Sequence, residues 1–186
     1  MNVLIGCEFS GAVRDAFSAR GHYAVSCDLL PSETPGHHFQ ADVFDVLDAF
    51  GDQFDLGIFH PPCTDLAVSG ARHFAAKVAD GRQGRALEFV RRLMRCGLPK
   101  WALENPVSVI STAIRRPDQI VQPWWFGHGE TKATCLWLSG LPLLFPTCVV
   151  SGRAARVHRL PPTADRWKLR SATLPGVAAA MAGQWS

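Results

Sequence analysis

No apolar run in the 186-residue chain approaches the length of a membrane span; the longest are short pieces such as Val3-Leu4-Ile5 and Cys135-Leu136-Trp137-Leu138. A span needs about 18 or more apolar residues in succession. The N-terminus has neither the basic start nor the apolar stretch of a secretory signal, so a cytoplasmic location is expected. Internal repeats, low-complexity tracts and linkers are lacking as well, which points to one domain over residues 1–186. Charged residues are few, 19% against 47% hydrophobic, a balance that excludes a disordered chain and supplies a substantial core. The six cysteines include no pair at C-x-x-C spacing, which argues against a zinc site or a disulfide framework. Cys7, Cys27, Cys96, Cys135 and Cys148 read as small buried thiols, and Cys63 stands apart. His37-His38 has no thiol or carboxylate spacing to complete a metal site and reads as polar loop, so no metal is expected.

Charge is unevenly spread. Residues 1–80 carry 4 Lys/Arg and 11 Asp/Glu, whereas residues 81–186 carry 15 and 5. A basic half suits a polyanion such as nucleic acid, and an acidic half suits a cationic or hydroxyl-rich small molecule.

Strand and helix signals alternate along the chain. Residues 2–6 read as a strand, 12–20 as a helix stopped by Gly21, and 23–27 as a strand ending at Asp28. A polar loop over 31–38 leads to Asp42 and a short helix over 43–50. Residues 54–59 form the next strand, ending in His60-Pro61-Pro62-Cys63. Leu87, Val90, Leu93 and Met94 mark an amphipathic helix, and Trp101–Leu103 a strand that ends in Glu104-Asn105-Pro106. This grammar predicts an α/β fold with a doubly wound, mostly parallel sheet. Ligands of such sheets bind at the carboxyl ends of the strands, and the Gly6–Gly11 turn, Asp28, Asp42, Pro61–Cys63 and Glu104 all fall there.

The first turn, Gly6-Cys7-Glu8-Phe9-Ser10-Gly11, lets backbone approach a ligand and leads into a helix whose positive end suits a carboxylate. Asp28 is placed to accept from ribose hydroxyls and Asp42 from an adenine amino group. The same acids could serve a nicotinamide dinucleotide or simply cap helices. Pro61 and Pro62 fix the backbone that presents the Cys63 thiol, and Glu104 ends a different strand. A thiolate adding to carbon 6 of cytosine, with a carboxylic acid donating to nitrogen 3, makes carbon 5 nucleophilic toward a sulfonium methyl. That chemistry needs a cysteine and a protonated carboxyl on neighbouring strand ends, so burial is expected to raise the pKa of Glu104.

On these residues the chain resembles the DNA (cytosine-5) methyltransferases along nearly its whole length. Glu8-Phe9-Ser10-Gly11 is similar to the family's Asp-Leu-Phe-x-Gly cofactor turn, Ser26-Cys27-Asp28 to its ribose-binding acid, and Ala41-Asp42-Val43 to its adenine-binding acid. His60-Pro61-Pro62-Cys63 resembles the Pro-Pro-Cys nucleophile motif and Leu103-Glu104-Asn105 the Glu-Asn motif, correctly ordered and about forty residues apart. Glu130-Thr131-Lys132-Ala133-Thr134 is similar in position to the Gln-x-Arg-x-Arg strand, with Lys132 for the first arginine and departures at Glu130 and Thr134. Ser171-Ala172-Thr173-Leu174-Pro175-Gly176, ahead of an Ala-rich helix, resembles the closing Asn-Ser-Val-Pro segment without its asparagine. The second glycine of the cofactor turn is replaced by Val13 or Arg14, and Thr64 stands where the family has glutamine.

The resemblance implies S-adenosyl-L-methionine as cofactor, DNA or a cytosine nucleotide as partner, and a sheet of the methyltransferase, Rossmann-like type. It implies catalytic roles for Cys63, Glu104 and Lys132, cofactor contacts from Glu8, Phe9, Ser10, Gly11, Asp28, Leu29, Asp42 and Pro61, and substrate contacts from His60, Thr64, Asn105, Arg115, Arg116 and Trp124. The family's separate target-recognition domain has no room beyond about residues 115–165, which hold Arg115, Arg116, Pro123-Trp124-Trp125-Phe126-Gly127-His128, Arg153, Arg156 and Arg159. Aromatics among basic residues can stack bases and track phosphates, or form a satellite core. So compact a member suggests a phage or mobile-element source, and a single strand or free nucleotide as substrate in place of a duplex, whose target base must be flipped out. Three other readings stay open. Exocyclic-amino methyltransferases use an Asp/Asn-Pro-Pro-Tyr/Phe turn, which His60 and Cys63 do not match. Folate-dependent thymidylate-synthase-like enzymes also add a Pro-Cys thiol to a pyrimidine. A non-catalytic nucleic-acid-binding protein of the same fold is the third.

Overall fold

A computed structural model describes residues 1–186. Seven strands, β1 (Asn2–Gly6), β2 (Tyr23–Asp28), β3 (His38–Gln40), β4 (Leu56–Phe59), β5 (Trp101–Pro106), β6 (Gln119–Val121) and β7 (Thr134–Ser139), form one sheet. Their order is β3-β2-β1-β4-β5-β7-β6. The first five run parallel; β7 is antiparallel to both of its neighbours, so β6 points the same way as β5. Helices α1 (Ala12–Ser18), α2 (Val43–Phe50), α3 (Phe74–Ala79), α4 (Arg82–Leu93), α5 (Ile110–Ala113), α6 (Arg166–Ser171) and α7 (Pro175–Gln184) cover it.

Both faces of the sheet are buried, which explains why its strands read as continuous apolar runs. Val3 and Ile5 of β1 pack with Val13 and Phe17 of α1 and with Val177, Ala178 and Met181 of α7. Leu4, between them on the strand, points to the other face, with Val43 and Leu47 of α2 and Val90 and Leu93 of α4. The result is three layers with one core on each side of the sheet.

Local chemistry sets the helix ends. Gly11 precedes α1 in the left-handed conformation, φ 75°, and α1 stops at Ser18, two residues before the expected end. Asp42 caps α2, its side chain accepting from the Phe44 N–H at 2.8 Å. The expected apolar stripe of α4 is present, with Val90 and Leu93 fully buried and the Arg92 guanidinium 3.6 Å from the centre of the Phe44 ring. Pro175 opens α7, where its missing N–H costs nothing. Small alanines then let α7 lie close to α1.

Several expectations need correction. His38 belongs to β3 and not to a loop: its Nδ1 meets Ser26 Oγ at 2.8 Å and its Nε2 the Leu30 carbonyl at 2.9 Å. Three residues with polar ends carry too little apolar pattern to reveal such a strand. The segment expected as the third strand is therefore the fourth. β5 continues through Glu104, Asn105 and Pro106 because β7 pairs beside it, Pro106 opposite Thr134. Cys148 is exposed and not a buried thiol, and Cys7 and Cys96 are only half-buried. The stretch 115–165 supplies β6 and β7 to the sheet. No helix is long and apolar enough to cross a membrane.

Candidate active site

Strand order reverses direction between β1 and β4, which makes their carboxyl ends the crevice of the fold. The His60 N–H donates to the Gly6 carbonyl at 2.9 Å across this point and ties the Pro-Pro-Cys turn to the glycine turn. Parallel pairing sets Phe59 beside Leu103, so the next residues, His60 and Glu104, leave the sheet as neighbours. His60 Nδ1 lies 2.7 Å from Glu104 Oε2, both side chains nearly buried. Asn105 Nδ2 donates to the Pro61 carbonyl at 2.9 Å, a buried bond from one motif to the other. The Cys63 carbonyl accepts from Leu66 N–H and Ala67 N–H at 3.0 and 2.9 Å, closing a tight turn around a half-buried thiol.

Two more segments reach this group. Thr173 Oγ1 donates to Glu104 Oε2 at 3.2 Å, and Lys132 Nζ donates to the Ala172 carbonyl at 3.1 Å. The Lys132 N–H also donates to Gln122 Oε1 at 3.2 Å, which steadies the residue before β7. His60 Nε2 and Asn105 Oδ1 are buried and have no partner in the protein. Leaving such an atom unpaired costs about 1–3 kcal/mol, so both are groups that a bound ring with donors and acceptors would satisfy.

The electrostatics reverse one expectation. Burial opposes ionisation of Glu104, but the hydrogen bond and charge of His60, with the charge of Lys132 and the Thr173 hydroxyl, outweigh it and lower its pKa. The expected rise is thus overturned by a partner that sequence reading did not assign to Glu104. Burial likewise opposes a charge on His60, yet Glu104 and the more distant Glu8 raise its pKa. The pair holds one proton, resting on the imidazole. Burial pushes the Cys63 thiol up, the Glu104 charge adds to this, and Lys132 and Arg170 pull it down.

The glycine turn is built differently from expectation. Glu8 is buried and accepts from the Val13 and Arg14 N–H groups at 2.7 and 3.2 Å, so the start of α1 is already occupied by a carboxylate of the chain itself. Ser10 Oγ lies 3.4 Å from both Glu8 Oε1 and the Ala12 N–H. A Cβ at Gly11 would stand 2.1 Å from Thr34 Oγ1, and its φ is one that side chains rarely adopt, so glycine is required there. Arg14 is fully buried and donates to Ser26 Oγ, Ser32 Oγ, Thr34 Oγ1 and the Thr34 and Pro35 carbonyls. It pins the 32–35 loop onto the turn. Cys7 is the one non-glycine residue with positive φ, 60°, a strained conformation at the end of β1.

The acids tested for a nucleoside fit in part. Asp28 accepts from the Leu30 N–H at 2.9 Å through Oδ1, and Asp42 caps α2 through Oδ1, leaving one oxygen on each. After burial, their two charges raise the Cys7 thiol, so they converge on the end of β1. Glu8 lies near the same strand end, but it is buried, its carboxylate engaged by the start of α1 and its pKa raised by burial. The Phe9 ring packs on Trp167, centroids 5.5 Å apart, and Leu29 is exposed.

Other expected site residues lie apart. Arg115 binds Asp118 Oδ2 at 2.8 Å and the Leu138 carbonyl at 3.1 Å; Leu138 pairs with Ala102, two residues back from Glu104. Arg116 is exposed beside it. Trp124 is covered by Arg153, 3.7 Å from its ring centre, while Phe126 is core. Thr64 is exposed, and its carbonyl accepts from Lys77 Nζ. Glu130 is buried against Arg156 at 2.6 Å. Sequence reading missed Thr173 and Arg14 as contributors, although both sit inside segments that the family resemblance singled out. No group of three or more His, Cys, Asp or Glu side chains is placed to hold a metal ion.

Fold and site together define an α/β protein with a seven-stranded, mostly parallel sheet compatible with a Rossmann-like fold, its reactive side chains gathered at the carboxyl ends of β4 and β5. No protein-family model matches the chain. No curated protein matches it significantly.

Proposed function

We propose that the protein transfers a methyl group from S-adenosyl-L-methionine to carbon 5 of cytosine in DNA, with Cys63 as nucleophile. The observation that carries this reading is the union of the Pro-Pro-Cys and Glu-Asn motifs: Asn105 holds the Pro61 carbonyl while Glu104 meets His60 at 2.7 Å. Two motifs that were only correctly ordered in sequence form one hydrogen-bonded unit.

The Cys63 sulfur adds to carbon 6 of the ring, and nitrogen 3 takes the proton of the His60–Glu104 pair. Because Glu104 is ionised at rest, the proton passes from the imidazole through the carboxylate. Lys132 and Arg170 stabilise the thiolate. S-adenosylmethionine, when bound, supplies the electrophilic methyl group that carbon 5 takes up. The carbon 5 proton passes to water, breakage of the sulfur–carbon 6 bond restores the ring double bond and the Cys63 thiolate, and nitrogen 3 returns its proton to the His60–Glu104 pair. Asp28 and Asp42 give the cofactor's cationic centres and hydroxyls an acidic surround. The start of α1 does not serve the cofactor carboxylate, since Glu8 takes those N–H groups.

The test is expression in a host without cytosine-5 methylation, followed by mass spectrometry of the digested DNA. 5-Methyldeoxycytidine is expected with the natural chain and absent with Cys63→Ala. Its absence in both, with no methylated product from a cytosine nucleotide or single strand in vitro, overturns the reading in favour of a non-catalytic binder.

A further inference from the structure

One cleft adjoins the group just described and shares Arg170 with it. It encloses about 530 Å3 and is lined by Val68, Ser69, Ala71, Arg72, His158, Arg166 and Arg170. Three arginines and a histidine face it, and no acid does. Seven of the 19 Lys and Arg side chains, Arg14, Lys77, Arg82, Arg91, Arg115, Arg156 and Lys168, are in ion pairs, and none of these lines the cleft. Arg72, Arg166 and Arg170 are in none. Arg72 donates only to the neighbouring His73 ring, and Arg166 only to the His158 carbonyl, while Arg166 Nε is buried without a partner. Concentrating like charge is costly unless an anion shares the space.

Position completes the case. One wall, residues 68–72, follows directly on the Cys63 turn, whose carbonyl holds the Ala67 N–H. The other wall is α6, whose Arg170 lies three residues before Thr173 on Glu104. A second hollow of about 360 Å3 shares Arg166 and Arg170 with the first and adds Trp167, which is half exposed. An aromatic face beside guanidinium groups is the usual equipment for a base next to its phosphate.

We propose that Arg72, Arg166 and Arg170 bind the phosphate groups of the cytosine-bearing substrate, with Trp167 as stacking platform for an adjoining base. This rests on the methyl-transfer reading for the identity of the base and deepens it: the substrate is recognised through its phosphodiester backbone. The shared chemistry is a nucleotide phosphate, borne by a strand or by a free nucleotide.

The experiment measures binding of a fluorescent, cytosine-containing single-stranded oligodeoxynucleotide by anisotropy over a range of salt concentrations. The full chain is compared with Arg72→Gln, Arg166→Gln, Arg170→Gln and the triple variant. Each lost phosphate contact should reduce the slope of log affinity against log salt by about 0.7, and the triple variant by about 2. Arg95→Gln and Lys100→Gln, exposed and unrelated to the cleft, should leave it unchanged. Competition by deoxycytidine monophosphate at concentrations matched in phosphate identifies a free nucleotide as the source; failure to compete identifies a strand. An unchanged slope in the triple variant, or an equal fall in the controls, overturns the proposal. The methyl-transfer reading fails separately: arginine-dependent binding without any methylated product sinks that reading and leaves the cleft standing.

Discussion

At the scale of single residues, His60 is the side chain whose importance was hardest to foresee. Its neighbour Cys63 and its partner Glu104 are legible as motifs, but a histidine before a proline pair is equally at home in solvent. What decides its role is the parallel register of β4 and β5, which sets His60 beside Glu104. That register turns an expected neutral carboxyl into an ion pair. Unfolded, the imidazole titrates near 6.5 and the carboxyl near 4.5; folding raises the first and lowers the second. The pair's stabilisation is therefore complete between those two values. It fades as pH rises through the raised value of His60, and again as pH falls through the lowered value of Glu104. The melting temperature of the natural chain minus that of Glu104→Gln should be largest near about pH 5.5 and shrink toward about pH 8.5. A difference that stays flat over that range contradicts the pairing. Catalysis tests the same bond from another side. In His60→Gln the buried Glu104 loses the partner that lowers its pKa and keeps its own proton. The alkaline limb of kcat/KM should then shift, because a carboxyl holds the proton in place of the imidazole. A limb that keeps its position in the variant means the imidazole does not supply the proton.

At the scale of elements, the strands and helices around the site were largely readable, since each carries apolar residues on both faces or at helical spacing. α2 and β1 fall where their patterns indicate. β3 was not readable, because three residues with polar ends owe their strand form to Ser26–Asp28 alongside. Nor was the role of Arg14, whose place in α1 beside Asp15 gives no hint of the loop oxygens it binds. It is a charged side chain buried by α1 and neutralised by loop oxygens and Asp15, at 2.9 Å. Arg14→Gln cannot reach all five acceptors, and the 32–35 loop should come loose from the turn. Amide exchange at Glu33, Thr34 and Gly36 is expected to quicken by one to two orders of magnitude, roughly the loss of 1.5–3 kcal/mol in charged hydrogen bonds. Unaltered exchange there would show that the loop holds itself.

For the whole molecule, the two cores on either side of the sheet are unequal in reach. The α2–α4 side draws mostly on the middle of the chain, whereas the other is closed by α1 and α7. Trp185, 1% exposed, finishes that side, its indole N–H donating to the Pro142 carbonyl at 3.0 Å. Trp185→Ala should cost about 3–5 kcal/mol and lower the melting temperature by roughly 10 °C or more. Calorimetry showing a fall of less than about 3 °C would mean that α7 is not an integral part of the core. Gly176 makes the same docking possible at the other end of α7, since a Cβ there would lie 1.9 Å from the Phe126 carbonyl.

The contact between Thr173 and Glu104 gives this architecture a temporal side. A ribosome delivers Cys63, Glu104 and the first helix early, yet the hydroxyl on Glu104 and the helix that seals β1 emerge about 70 or more residues later. Until residue 173 has cleared the exit tunnel, Glu104 lacks one of the groups that keep it ionised, and one face of the sheet lies open. A chain broken off before that point carries both signature motifs and still has no finished site. Synthesis of the segment around residue 173 thus acts as a checkpoint: the hydrogen-bonded group on Glu104 is assembled only after that segment has emerged.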